Sequence, residues 1–268
     1  MVVIQPKELT MNLTRLVFEH EIAFLTLCSP KTRNALSLEM AGELNHRFSE
    51  IDCQEEVKLV VLRGEGHFMA GGDIHYLARA LESNIPNEVV KLIDSAHELV
   101  MNIRTARAPV LAVVEGSCAG YGVSLLSHCD VAITSDTCRY TLAYSAIGAS
   151  PDGGVSFTLP KLCGAKRAKE LLMFSEPFNA CQALEYGLVN QVVPVDDLEN
   201  EMLAWSTKTL NSSSHALQRI KQLTNQDNKA CIAHLQLEKN AFLEGMNSPQ
   251  LAEGIRAFHE KRPANFKC

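Results

Sequence analysis

The chain is short of several things at once, and each shortage closes a class of function. It has no surplus of basic residues: 25 Lys and Arg stand against 31 Asp and Glu, a net charge of −6 with a pI near 5.9. A dominant nucleic-acid role is thereby disfavoured, because such a surface needs a cationic footprint. No apolar run approaches the roughly 20 residues that a membrane span requires. None of the nine cysteines (Cys28, Cys53, Cys118, Cys129, Cys138, Cys163, Cys181, Cys231 and Cys268) forms a C-x-x-C pair, and the count is odd. That speaks against a zinc site or a disulfide framework and for reduced thiols. The start, Met1-Val2-Val3-Ile4-Gln5-Pro6-Lys7, carries neither a secretory nor a transit pattern, so a cytoplasmic location is expected. A Pro/Ser-rich linker, a low-complexity tract and a clear repeat are also missing.

What is present is ordinary globular material: 46% hydrophobic and 21% charged residues in 268, enough to bury a full core. Residues 14–19 and 22–28 read as two short strands joined at His20-Glu21. Ser37 is a plausible N-cap, with Glu39 in the first turn of a helix to Ile51. Further strands are expected at 58–62, 109–114, 130–134 and 188–193. Helices are expected at 86–105, where Val89, Leu92, Ile93, Ala96, Leu99, Val100 and Ile103 recur at helical spacing, and at 122–128, 165–174 and 180–186. Residues 77–87 read as a loop that shapes the pocket. Strands alternate with helices to about residue 194 and helices alone follow. The organisation is therefore an α/β core at 1–197 and a helical subdomain at 198–268.

Two glycine-rich segments stand out, each following an apolar run: Phe68-Met69-Ala70-Gly71-Gly72-Asp73-Ile74 and Glu115-Gly116-Ser117-Cys118-Ala119-Gly120-Tyr121-Gly122. Both read as a buried strand breaking into a turn with free backbone N–H groups. Two such turns side by side can hold a developing oxyanion, as acyl-transfer and enolate chemistry require. The helix that follows the second would point its N-terminal N–H groups at the same place.

In this order, these segments resemble the enoyl-CoA hydratase/isomerase (crotonase) superfamily. The anchors are Pro30-Lys31-Thr32-Arg33-Asn34-Ala35-Leu36, the two glycine segments, 187–194, and the tail Phe258-His259-Glu260-Lys261-Arg262-Pro263-Ala264-Asn265-Phe266. The resemblance implies a spiral of ββα repeats rather than a doubly wound sheet, a distinction that periodicity does not make. It also implies acyl-CoA thioester substrates, no cofactor beyond the coenzyme A of the substrate, no metal, and homotrimers or dimers of trimers built on the C-terminal helices. The oxyanion donors would be the N–H groups of Ala70 and Tyr121. Arg33, Gly71, Gly72, Asp73 and Gly120 would line the CoA path, and Phe258 and Lys261 would reach the CoA nucleotide of a neighbouring subunit.

The pocket departs from the hydratase pattern. The two glutamates of family hydratases fall at Ser124 and Tyr144, whose hydroxyls are no substitute for carboxylate bases. Ser124 and Tyr144 remain acyl-pocket candidates. Asp152, in Ser150-Pro151-Asp152-Gly153-Gly154, matches the single carboxylate of the isomerase branch, although Pro-Asp-Gly is also a turn signature. One carboxylate that shuttles a proton between C2 and C4 of a dienolate is sufficient for moving a double bond.

The leading expectation is thus an enoyl-CoA isomerase with Asp152 as acid and base. Rivals are a hydratase, an Asp-nucleophile acyl-CoA hydrolase or dehalogenase, and a catalytically lapsed CoA-thioester-binding or RNA-binding relative. The nucleophile route needs a second base, and no histidine recommends itself in the sequence. His75 reads as a surface residue at a helix start, His67 as structural, His128 as a helix C-terminal residue, and Asp73 as a turn-fixing side chain.

Overall fold

The computed structural model describes residues 12–82 and 86–267. The segment 1–7 and Cys268 lie outside them. In chain order the elements are β1 (Thr14–Glu19), β2 (Ile22–Leu27), α1 (Leu38–Asp52), β3 (Leu59–Gly64), α2 (Ile74–Glu82), α3 (Pro86–Thr105), β4 (Val110–Val114), β5 (Ser117–Ala119) and α4 (Tyr121–Leu126). They continue as β6 (Val131–Ser135), β7 (Arg139–Thr141), α5 (Val155–Phe174), β8 (Phe178–Asn179), α6 (Ala180–Glu185), β9 (Gln191–Val193), α7 (Leu198–Leu210), α8 (Ser214–Thr224), α9 (Asn228–Gly245) and α10 (Pro249–His259).

Two sheets organise the chain. The larger runs β1-β2-β3-β4-β6-β9, antiparallel only between β1 and β2; the smaller runs β5-β7-β8. Successive passes repeat one unit: a strand in the large sheet, a short extended piece beside the small one, then helix. β4-β5-α4 and β6-β7-α5 are full versions. The two earlier passes pair their extended pieces through single parallel bridges, Leu36 to Gly72 and Met69 to Cys118. This is the ββα spiral that the resemblance implies.

The parallel strands are buried on both faces, which is why they read as unbroken apolar runs. Val60 and Leu62 of β3 face a cluster that includes Leu44 and Phe48 of α1 and Leu99 and Val100 of α3. The alternate residues Leu59 and Val61 face Leu198 and Met202 of α7. The helices after residue 197 share their buried faces with the core: Cys231 and Leu235 of α9 join the first cluster, while Leu251 and Ile255 of α10 pack with Leu77 of α2 and Ile93 of α3.

Most expected elements are present within a residue or two. Ser37 Oγ accepts the N–H of Met40 at 3.1 Å and starts α1. Gly187 turns with φ 72, and Leu188 N–H closes on the carbonyl of Ala183 after α6. Differences have local causes. α5 begins at Val155 rather than 165, because Pro160 and the kink at Gly164 (φ 79, ψ 156) break the pattern by which a helix is read. The strand expected at 188–193 spans only Gln191–Val193. β5 and β7 have three residues each, too few for an alternation to show. Residues 77–82 belong to α2.

Candidate active site

The two glycine turns are zipped together by main chain. Phe68 N–H donates to Glu115 O (2.9 Å), Met69 N–H to Ser117 O (3.1 Å), and Ala119 N–H to Met69 O (2.8 Å). His67 adds a side-chain rung, its Nδ1 accepting the N–H of Ser117 at 3.1 Å, which makes it the structural residue expected. Gly122 is glycine because the turns touch: a Cβ there would lie 2.3 Å from Met69 O.

Their donors are furnished differently. Tyr121 is the first residue of α4, where helix geometry offers its N–H no intrahelical acceptor. The N–H of Ala70 was expected free and is not: it donates to the carbonyl of Arg33 at 2.9 Å. Residues 33–36 run alongside 70–73, with Leu36 N–H on Gly71 O (2.8 Å) and Asp73 N–H on Leu36 O (3.0 Å). Arg33 and Asn34 both have left-handed backbones, φ 54 and 56. Asn34 holds that shape from a fully buried position, donating to His67 O at 2.6 Å and accepting from Ser29 N–H at 2.7 Å. Arg33 therefore brings a carbonyl to the first turn, besides an exposed side chain.

Asp73 fixes the start of α2, its Oδ1 accepting the N–H groups of His75 (2.9 Å) and Tyr76 (3.1 Å). α10 packs on α2 and on the turn Ser145–Ile147, and the His75 and His259 rings are 4.4 Å apart. Phe258 and Lys261 are exposed at the end of this helix.

Asp152 sits against the second turn. A Cβ on the next residue, Gly153, would lie 2.6 Å from the ring of Tyr121. Ser124 Oγ and Tyr144 Oη lie 2.8 Å apart, and both reach the Asp152 carbonyl, at 2.7 and 3.1 Å. Two hydroxyl hydrogens serve these three contacts. The residues at the hydratase positions therefore hold the main chain of Asp152, and both are buried. Burial, and then the charge of Asp152, pushes the phenols of Tyr121 and Tyr144 upward, so neither acts as a base.

The Asp152 carboxylate has a partner that sequence reasoning missed. Its Oδ1 lies 2.7 Å from Nε2 of His97, and both side chains are only about an eighth exposed (13% and 12%). The signal was available: His97 is four residues after Ile93 and three before Val100, on the apolar stripe of α3. Glu238 of α9 was missed as well. It accepts the N–H groups of Gly154 (2.6 Å) and Ser156 (3.0 Å), together with the Ser156 hydroxyl, and so caps α5. Burial raises its pKa, against the lowering effect of those hydrogen bonds. His97, Asp152 and Glu238 each bring one ligand-type atom within 4.8 Å of the others. Because these atoms are engaged with one another and with α5, the cluster reads as a hydrogen-bonded network. The hydroxyl of Ser150 is buried with no hydrogen-bond partner.

His128, at the end of the helix after the second turn, points at the same loop. Its Nε2 lies 3.0 Å from Gly153 O and its Nδ1 3.4 Å from Nη1 of Arg104. Nε2 therefore carries the hydrogen and Nδ1 accepts. Burial, with Arg104 adding to it, holds the His128 pKa down at about 3.

The chain matches the family model described as enoyl-CoA hydratase/isomerase over residues 17–268. It is similar to a solved enoyl-CoA hydratase from Mycobacterium avium subsp. paratuberculosis at 28% identity and TM-score 0.86, covering 96% of this chain and 99% of that one. An enoyl-CoA hydratase from a Polaromonas species is 31% identical, with TM-score 0.76 over 94% and 98% of the two chains. One from Bacillus halodurans, at 18% identity, shares the fold with TM-score 0.87 over 91% and 99%.

Proposed function

Because this chain belongs to the enoyl-CoA hydratase/isomerase family, we propose that it shifts the double bond of a 3-enoyl-CoA to the 2-position, with Asp152 as the acid and base. One observation carries the reading. The positions that hold paired glutamates in hydratases hold Ser124 and Tyr144, whose hydroxyls serve the Asp152 carbonyl, so Asp152 is the carboxylate beside the second turn with a side chain left for substrate. In the reaction the carboxylate takes a proton from C2. The C–H electron pair moves into the thioester, and the negative charge comes to rest on the thioester oxygen, facing the N–H groups of Ala70 and Tyr121. The same carboxylic acid then protonates C4 as the double bond settles between C2 and C3. No activated water is consumed.

The test is incubation with 3-enoyl-CoA while following the absorbance of the conjugated thioester. Wild type is expected to generate it, and Asp152→Asn to lose about 1,000-fold or more in kcat, within the range for removing an acid/base group. An Asp152→Asn enzyme of normal activity sinks the assignment. Tight CoA-thioester binding without turnover would favour a lapsed binding protein.

A second reading is favoured by His97. With a base 2.7 Å from Asp152, the carboxylate could attack an acyl or aryl carbon as nucleophile while His97 later activates water. Release of halide from a haloaroyl-CoA is the discriminating result. The trimeric or hexameric state and a cytoplasmic location are parts of the same proposal. Exposed Ile220 and Leu223 of α8, with Ile232 and Leu237 of α9, offer apolar surface for subunit contact.

A further inference from the structure

We infer that His97 is the positioning residue of the reaction: it holds Oδ1 of Asp152, so that the other carboxylate oxygen alone faces the substrate. The inference rests on the isomerase reading of Asp152 and adds a residue to it. A carboxylate that must serve both C2 and C4 has to be fixed in rotation as well as in place. Its main chain is fixed already, since Ser124 and Tyr144 hold the Asp152 carbonyl and Glu238 holds the N–H groups two and four residues on. None of these contacts restrains rotation of the carboxyl group about its own side-chain bonds. The contact from His97 Nε2 to Oδ1 at 2.7 Å does so. With the carboxylate ionised, Nε2 must be the donor.

The frame behind the imidazole is stiff and is shared with the oxyanion turn. His97 lies within the 20-residue α3, whose neighbouring positions Ala96 and Val100 are buried. The Tyr121 hydroxyl donates to the carbonyl of Ala96 at 2.6 Å. One residue therefore contributes its backbone to the second turn and its side chain to the helix that carries His97. An N–H donor is also what the electrostatics call for. The buried carboxylate of Glu238 belongs to the same cluster as Asp152 and repels its charge, and the imidazole N–H at 2.7 Å counters this.

The variants that test this are His97→Ala and His97→Gln, the latter because the glutamine amide reaches about as far as Nε2 and can donate. His97→Ala is expected to lose about 100-fold in kcat for 3-enoyl-CoA with KM within about threefold, the pattern of a misplaced catalytic group. His97→Gln is expected to recover most of that loss. Thermal unfolding of both variants reports whether the fold is intact. A readout free of turnover is the proton NMR resonance of the His97 imidazole N–H, expected downfield in wild type and absent from that position in Asp152→Asn. Wild-type kcat in His97→Ala, or an unchanged resonance in Asp152→Asn, overturns the inference. A wild-type enzyme that leaves 3-enoyl-CoA untouched sinks the isomerase reading alone, and the resonance then decides the His97 pairing by itself.

Discussion

The two glycine turns look alike in sequence and are prepared for their task in opposite ways. The second points its donor outward by starting a helix at Tyr121, so the N–H is unclaimed by the geometry of the element itself. The first has its donor, Ala70 N–H, on the carbonyl of Arg33. An oxyanion at the first turn must therefore displace or share with a carbonyl, whereas at the second it meets a donor in waiting. The exchange is favourable in principle, because an N–H bond to a charged acceptor is roughly twice as strong as one to a neutral carbonyl. It still requires Arg33 O to find another partner. The lesson is that a glycine-rich turn frees the backbone to approach but does not decide what approaches it.

The comparison is broken most severely by separating the turns. Gly122→Ala places a methyl 2.3 Å from a main-chain oxygen that cannot step aside, since Met69 O already accepts from Ala119 N–H. The expected cost is about 3 kcal/mol, at the upper end for overpacking a filled site. It would be read from the urea midpoint, with loss of both activity and CoA-thioester binding. Gly42→Ala, on α1 with nothing within 4 Å of the added carbon, is the control and should hold or gain stability. Equal behaviour of the two variants would mean that the turns are not locked.

A gentler change separates the two things Arg33 brings. Arg33→Ala removes the guanidinium and leaves the carbonyl on Ala70. If the side chain serves the CoA phosphates, KM for acyl-CoA rises about tenfold, equivalent to about 1.4 kcal/mol, while kcat moves little. An N-acetylcysteamine thioester, which lacks the nucleotide, should not distinguish the variant from wild type. A fall in kcat on both substrates would instead place the effect at the first turn itself.

Much of this was legible, and the limits are physical. Most of the longer strands and helices announced themselves through periodicity, α2 and the first half of α5 excepted, and the glycine segments through composition. Ser124 and Tyr144 were singled out by their departure from the hydratase pattern, and Asp152 by its match to the carboxylate of the isomerase branch. That they form one hydrogen-bonded unit was not readable, because the contacts span 20, 28 and 8 residues. His97 was hidden by its setting, since a histidine on a helix's apolar stripe looks like a half-buried core residue until the loop that meets it is folded. The Arg33 carbonyl left no trace at all, because main-chain atoms carry no sequence signal and only the two left-handed residues at 33 and 34 aim it.

The smallest expected effect concerns the far end of the second turn's helix. His128 holds Gly153 O through Nε2 and accepts from Arg104 at Nδ1, so a second proton would cost that contact and set a cation against a guanidinium. Its folded pKa of about 3 lies below the unfolded value near 6.5, so on acidification the unfolded chain binds the proton first. Stability therefore rises with pH across the window from 3 to 6.5 and is fully present above it. Between pH 6.5 and 5.5 the loss should be about 1 kcal/mol, measured as a shift in urea midpoint. Glu253, held at about 2 by Arg262, contributes a pH dependence only below its unfolded value of 4.5, whereas Glu238, raised by burial, works in the opposite sense, so the His128 contribution is read as the difference between wild type and a variant lacking the imidazole. His128→Gln keeps a donor for Gly153 O and removes the titration, so its midpoint should vary less with pH over the same unit, whatever its absolute stability. The contrast between the turns is sharpened if acid slackens the Asp152 loop and the second turn while the Asn34 contacts that hold the first stay intact. An unchanged slope in His128→Gln would show that His128 takes its proton without disturbing the helix, and that the second turn is held by its zipper to the first rather than by its own far end.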